Sequence, residues 1–117
     1  MAKFSTHLLD KVIASSRQRR EQERLEKLSA VFAALEKLAA ETPFQEAYIF
    51  GSLTKPYQFS SNSDIDIGFI GLREEDFLPA MAFLSMELGV EVDIVQLEGH
   101  RLREKVITEG VGWKKQD

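Results

Sequence analysis

The chain has no cysteine, only three prolines and a single tryptophan among its 117 residues. Without cysteine it forms neither disulfides nor thiolate metal sites, which weakly favours a reducing compartment. It also lacks an apolar run of about 18 residues, and its N-terminus lacks the short apolar segment of a secretory signal. We therefore expect no membrane partner and a cytoplasmic location.

Chain length and charge limit the number of domains and the kinds of partner. A length of 117 residues with 44% hydrophobic content allows one small domain with a single core. Residues 1–40 carry eight Lys or Arg against five Asp or Glu, residues 41–98 carry two against eleven, and residues 99–117 carry five against three. The strongly acidic middle attracts divalent cations and repels a polynucleotide, so direct nucleic-acid binding is not expected.

The acids of this middle segment follow a strand pattern. Residues 63–70 alternate polar and apolar positions, which predicts a strand with Asp64 and Asp66 on one face. Their carboxylates then start roughly 6 to 7 Å apart, close enough to converge on one cation. Asp93 lies between apolar neighbours in another strand-like run, where a lone carboxylate is costly unless paired or metal-bound. Three such acids suit Mg²⁺ or Mn²⁺.

A glycine turn precedes the acidic pair. The apolar run 47–50 ends at Gly51 and Ser52, where a glycine lets backbone N–H groups approach a phosphate and a serine hydroxyl adds a donor. Taken singly, the turn and the acids are common surface features, but their combination predicts a nucleotide site. A phosphate loop of the Walker type and a calcium-binding loop of the EF-hand type are both excluded by spacing.

Together these residues resemble a known family. Gly51-Ser52, a gap of eleven residues, Asp64-Ile65-Asp66 and Val92-Asp93-Ile94-Val95 look like the minimal nucleotidyltransferases of the DNA polymerase β superfamily. The closing segment Ile107–Val111 is also similar, so the resemblance spans roughly residues 45 to 113.

The resemblance implies an α/β fold, a small mixed sheet flanked by helices like the polymerase β palm, and transfer of a nucleoside monophosphate from ATP to a hydroxyl. It implies that Asp64 and Asp66 hold two metal ions and that Asp93 holds the ion nearest the acceptor. Gly51, Ser52 and Lys55 would bind the terminal phosphates. The family's turn commonly continues with a small residue, a basic residue and glycine, whereas this chain has Thr54, Lys55 and Pro56. The proline removes a backbone donor.

The resemblance also indicates the partner. Minimal domains of this family are often encoded beside a helical HEPN protein, to whose tyrosine they add AMP, so the chain is predicted to be an AMPylating antitoxin. Two alternatives stay open. The chain could be a non-catalytic nucleotide-binding antitoxin that neutralises its partner by binding, which Pro56 favours slightly, or it could be a subunit of a nucleotidyltransferase that modifies an aminoglycoside-like small molecule.

The predicted element order is helix, strand, turn, strand, helix, strand, helix. Apolar residues at helical spacing predict that the first helix packs on the sheet. This stripe consists of Leu25, Leu28, Phe32, Leu35 and Ala39. A second helix is predicted from Glu74 to Gly89, and a third after Gly99.

Residues 25–117 are predicted to form the nucleotidyltransferase domain, and residues 1–24 an N-terminal helical extension. Within the extension, residues 17–24 are polar all round, and an apolar patch of Leu8, Leu9, Val12 and Ile13 lies beyond them. This patch is predicted to dock on a second copy or on a HEPN-like partner. The competing interpretation is a solvated helix with a frayed start.

Overall fold

A computed structural model describes residues 6–55 and 64–114, with side chains from residue 8 onward. Within these residues, three α-helices, four strands and one 3₁₀ turn follow one another. They are α1 (Thr6–Glu41), β1 (Glu46–Phe50), the 3₁₀ turn (Gly51–Thr54), β2 (Ile65–Ile70), α2 (Glu74–Leu88), β3 (Val92–Gln96), α3 (Arg103–Glu109) and β4 (Val111–Lys114). None of the helices in these ranges is both long and apolar enough to cross a membrane.

The strands form one mixed sheet in the order β3-β2-β1-β4. Strand β1 is antiparallel to both β2 and β4, whereas β2 and β3 are parallel and are connected through α2. A parallel pair needs such a crossover, because the chain must return to the start of the sheet before the next strand begins. The predicted mixed sheet flanked by helices is therefore confirmed.

The main core lies between the sheet and helices α1 and α2. Alternate residues of β2, namely Ile65, Ile67 and Phe69, are fully buried on this face. From α1 the buried stripe includes Val31, Leu35 and Leu38. These positions recur at helical spacing, so one side of α1 covers the sheet.

The sequence prediction placed Leu25 in this stripe, and that prediction is wrong. Leu25 is 51% exposed, and the residue buried at this level of α1 is Arg24, which is 8% exposed. The buried side continues from Leu28 back to residue 24, four positions earlier, because i and i+4 share one helix face. Leu25 lies about 100° further round and faces solvent.

Helix α3 covers part of the opposite face of the sheet. A smaller cluster forms there from Tyr48, Leu97 and Val106. The Leu97 side chain packs against the backbone of Gly68, where an added Cβ would lie 2.8 Å from Leu97 Cδ2. This second layer leaves the starts of β2 and β3 open on the same face.

The remaining helix predictions agree with the structure. Helix α2 begins at Glu74 and ends before Gly89, whose φ of 66° forms the left-handed cap that glycine favours. The third helix begins at Arg103, after Gly99 as predicted. Strand β4 was not predicted. It is a four-residue edge strand containing Gly112, and its side chains are at most half-buried, so the usual strand signal is weak.

Helix α1 extends well beyond the sheet. It runs without interruption from residue 6 to residue 41, and the molecule measures 67 × 27 × 25 Å. Between residues 8 and 20 every side chain except the half-buried Ser16 is exposed. The predicted boundary between residues 24 and 25 falls inside this continuous helix and stays a prediction.

Candidate functional site

The predicted acids lie where three strands meet at one edge of the sheet. Asp66 stands opposite Phe50, the last residue of β1, and opposite Asp93 near the start of β3. Because β2 and β3 are parallel and these two residues are in register, both carboxylates project from the same face, the one that carries α3. Asp64 is exposed and immediately precedes β2. The strand pairing thus brings the two acidic segments together.

The negative charges of the site act on one another. Burial raises the pKa of Asp66 above its ordinary value of 3.8, and the nearby carboxylates of Asp93 and Asp64 raise this pKa further. Among residues 8–55 and 64–114, none of the three acids belongs to an ion pair. The site therefore holds negative charge that nearby described side chains do not neutralise, which is the condition a divalent cation relieves.

The donor set fits Mg²⁺ or Mn²⁺ at a site that the substrate completes. No group of three His, Cys, Asp or Glu side chains in the described part of the chain has the arrangement of a preformed metal site. Mg²⁺ does not need one, because it commonly takes one or two carboxylates and completes its shell with water and substrate phosphates. Asp64, Asp66 and Asp93 supply the hard oxygen ligands that such an ion prefers.

Gly51 connects the turn to these acids. Its φ is +83°, a conformation that residues with a side chain rarely adopt. A Cβ at this position would also lie 2.6 Å from Asp66 Oδ2. The backbone of the turn therefore lies directly against the Asp66 carboxylate.

The rest of the turn is held by its own hydrogen bonds. The Thr54 hydroxyl donates to the Gly51 carbonyl at 2.8 Å, and the Lys55 N–H donates to the Ser52 carbonyl at 3.2 Å. Leu53 is fully buried and fixes the turn to the core. Ser52 is half-buried and Lys55 is exposed, so both predicted phosphate ligands lie near the surface. Pro56, which slightly favours the binding-only alternative, lies outside the described residues.

Sequence reasoning missed Arg24. It was assigned to a polar segment, yet its Nη1 donates a hydrogen bond to the Leu53 carbonyl of the turn at 2.9 Å. The same guanidinium binds the Glu21 carboxylate through Nε and Nη2. Extending the stripe of Leu28, Val31 and Leu35 back by one turn would have indicated that residue 24 faces the core.

A separate groove lies between α1 and the edge strand β4. Its volume is about 580 Å³, and its walls include Phe32, Ala39 and Trp113. None of the three acids lines it. The charge and the glycine turn therefore identify the site better than the size of a concavity does.

The sheet topology and the placement of the acids against a glycine turn define a nucleotidyltransferase fold. The profile of the family described as polymerase beta nucleotidyltransferase matches residues 33–117. The chain belongs to this family. The match contains all six predicted site residues and leaves Arg24 and Glu21 outside.

Solved structures agree with this assignment. A toxin–antitoxin complex with AMP-PNP is similar at 30% identity, with a TM-score of 0.60 over 73% of this chain and 74% of that chain. A structure described as a candidate minimal nucleotidyltransferase is 32% identical, with a TM-score of 0.58 and coverages of 74% and 93%. A mutant of the MntA–HpeT toxin–antitoxin is 28% identical, with a TM-score of 0.57 over 70% of each chain. A search of curated proteins finds no match.

Proposed function

We propose that this chain is an antitoxin that transfers AMP from ATP to a tyrosine hydroxyl of a HEPN-family toxin. The observation that carries the proposal is the group of uncompensated carboxylates of Asp64, Asp66 and Asp93 beside the Gly51 turn. A hydrolase of small apolar substrates would not need such a concentration of negative charge. A transferase of nucleotides does, because its substrate arrives with divalent ions.

The turn would bind the triphosphate. The first N–H groups of a 3₁₀ turn lack partners within the turn, so Gly51 and Ser52 can donate to the terminal phosphates. The Ser52 hydroxyl and the Lys55 ammonium add one further donor and one positive charge. Asp64, Asp66 and Asp93 lie at the same edge of the sheet, where the α-phosphate and the acceptor hydroxyl would meet.

Asp64, Asp66 and Asp93 would hold Mg²⁺ or Mn²⁺, which would lower the pKa of the acceptor hydroxyl and neutralise charge on the phosphates. The hydroxyl oxygen forms a bond to the α-phosphorus. At the same time the bond breaks between the α-phosphorus and the oxygen that bridges the α- and β-phosphates. Pyrophosphate leaves and the hydroxyl proton passes to solvent. The fixed turn and the fixed strand edge contribute mainly by holding donor and acceptor in line.

The comparisons support both the nucleotide and the partner. One similar toxin–antitoxin complex contains AMP-PNP, an adenine nucleotide. Another similar structure, the MntA–HpeT toxin–antitoxin, carries glutamate in place of two aspartates two positions apart. That spacing equals the spacing of Asp64 and Asp66 in this chain.

Label transfer tests the proposal. The chain is incubated with Mg²⁺, with a candidate HEPN-family partner protein, and with ATP labelled at either the α- or the γ-phosphate. AMP transfer labels the partner from α-labelled ATP only, whereas a kinase would label it from γ-labelled ATP. Replacing the acceptor tyrosine by phenylalanine should remove the label.

Asp64→Asn is the matched enzyme variant, because it weakens one metal ligand with almost no change in volume. It should abolish transfer and leave the melting temperature close to that of the wild type. A wild-type complex that neutralises the toxin without labelling it would instead establish the binding-only alternative. Labelling of an aminoglycoside but of no protein would establish the small-molecule alternative.

A further inference from the structure

One charged residue is buried in the described part of the chain, and it lies outside the segment that matches the family. Arg24 is 8% exposed, while the family profile begins at residue 33. Burying a guanidinium is costly unless its donors are satisfied. Glu21, one turn earlier in α1, receives hydrogen bonds from Nε and Nη2, and this hydrogen bonding to Glu21 is the main cause that raises the pKa of Arg24.

The third nitrogen of the Arg24 guanidinium, Nη1, is directed at the Gly51–Thr54 turn. It donates to the carbonyl of Leu53 at 2.9 Å, across 29 positions of sequence. Leu53 is the third of the four residues of the turn, and its side chain is fully buried. The turn is therefore held by the buried side chain of Leu53 and by the Arg24 guanidinium of α1. Its first residue, Gly51, lies against Asp66.

From this geometry we infer that Arg24 and Glu21 are positioning residues that hold the Gly51–Thr54 turn in the conformation that binds the triphosphate. The inference rests on the proposed function. Neither residue touches the nucleotide. Glu21 orients the guanidinium, and the guanidinium fixes the peptide between Leu53 and Thr54. Losing this donor frees the turn to move and leaves a buried carbonyl without its partner.

Helix α1 supplies a matched control. Lys27, one turn after Arg24, donates from Nζ to the carbonyl of Leu88 at 3.1 Å. That bond also joins α1 to another element, but it ends on α2 rather than on the turn. Lys27→Met and Arg24→Met each keep an apolar stem of similar length and remove one cationic donor. They differ in which carbonyl loses its partner, and Arg24→Met also takes the guanidinium away from the Glu21 carboxylate, a change that Glu21→Gln tests separately.

The experiment measures the dissociation constant of ATP with Mg²⁺ by calorimetry, and the melting temperature without nucleotide. Arg24→Met is expected to weaken ATP binding about tenfold, the effect of losing one charge-assisted hydrogen bond. Lys27→Met is expected to bind ATP like the wild type even if its melting temperature falls as far. Arg24→Lys, which keeps a charge but loses the fork, should lie between Arg24→Met and the wild type.

Amide hydrogen exchange of the nucleotide-free protein gives a local readout. The N–H groups of Thr54 and Lys55 should exchange faster in Arg24→Met and at the wild-type rate in Lys27→Met. If Arg24→Met does not fold, Arg24→Lys and Glu21→Gln take its place in both measurements, with a smaller weakening expected.

The outcomes separate the positioning role of Arg24 and Glu21 from the proposed function. Equal ATP affinity in Arg24 variants and the wild type, or equal weakening by Lys27→Met, overturns the positioning role while the proposed function stands. A wild-type chain that binds no ATP overturns the proposed function, and the role in triphosphate binding with it. In that case, faster exchange of the turn in Arg24→Met would assign Arg24 to the structure of the turn alone.

Discussion

Asp66 occupies a position that folding alone does not favour. Its carboxylate is half-buried between Gly51 and two other acids, and these surroundings raise its pKa above 3.8. The folded chain therefore binds this proton more tightly than the unfolded chain does. Protonation of Asp66 therefore adds to the free energy of unfolding. This contribution is complete below pH 3.8 and is lost as the pH rises through the higher pKa of Asp66 in the folded state. At neutral pH the ionised group opposes folding.

We therefore expect Asp66→Asn to raise the melting temperature at pH 7 in the presence of a chelator, because it removes this charge without changing the volume. The gain should shrink as the pH falls toward 3.8. Thermal melts across this range measure it, and Glu109→Gln on the exposed surface of α3 is the control. The same Asp66→Asn variant should lose AMP transfer. A lower melting temperature than the wild type at pH 7 would contradict the electrostatic account.

Gly51 permits a comparison with a second glycine. Gly51 and Gly89 both have positive φ, so alanine at either position costs about 1–2 kcal/mol in backbone strain. At Gly89 an added Cβ meets nothing within 4 Å, whereas at Gly51 it meets Asp66 Oδ2 at 2.6 Å. We expect Gly51→Ala to displace the Asp66 carboxylate and to weaken ATP binding at least tenfold.

Gly89→Ala should lower the melting temperature comparably and leave the dissociation constant of ATP unchanged, as measured by calorimetry. Ser52→Ala should have a smaller effect on ATP binding than Gly51→Ala, since it removes one hydroxyl donor but leaves the backbone of the turn and the Asp66 carboxylate in place. Wild-type ATP affinity in Gly51→Ala would remove the turn from the site.

At the scale of elements, residues 8–15 of α1 are all exposed and lie outside the core of the fold. The apolar residues Leu8 and Val12 are 63% and 56% exposed, beyond the part of the helix that covers the sheet. Such a patch on an extended helix is typical of a protein-binding surface. The predicted partner, a second copy or a HEPN-like protein, stays a prediction.

Two truncations test where the domain begins. Deleting residues 1–16 should leave the melting temperature of the isolated chain nearly unchanged and should weaken the complex with the HEPN-like partner. Deleting residues 1–24 also removes Glu21 and Arg24, so it should weaken ATP binding as well. Calorimetry, thermal melts and co-purification measure the three quantities. Unfolding by the shorter deletion would show that residues 1–16 belong to the domain.

At the scale of the molecule, acidic and basic residues are unevenly distributed along the chain. Residues 41–98 carry two basic against eleven acidic residues, and they include the three site acids. We expect ATP with Mg²⁺ to stabilise the fold by about 2.7 kcal/mol at a hundredfold excess over its dissociation constant. The melting temperature should rise accordingly and return to its starting value with a chelator.

Asp93→Asn should show a much smaller rise in melting temperature, and a single-stranded oligonucleotide should produce none because the acidic surface repels it. An equal rise with ATP and chelator would show that the nucleotide binds without metal. An equal rise in Asp93→Asn would remove this residue from the site.

The sequence by itself determined strands β1 to β3 and helix α2, since an apolar or alternating run, an acidic first turn and a glycine cap are local signals. It also indicated that Asp64, Asp66 and Asp93 form a site with Gly51, because chemistry requires these residue types together. Only the tertiary structure decided that Arg24 rather than Leu25 faces inward, that Gly51 lies against Asp66, and that β4 closes the sheet beside β1. These features depend on how α1 crosses the sheet and on pairings between distant segments. Local patterns carry little information about either.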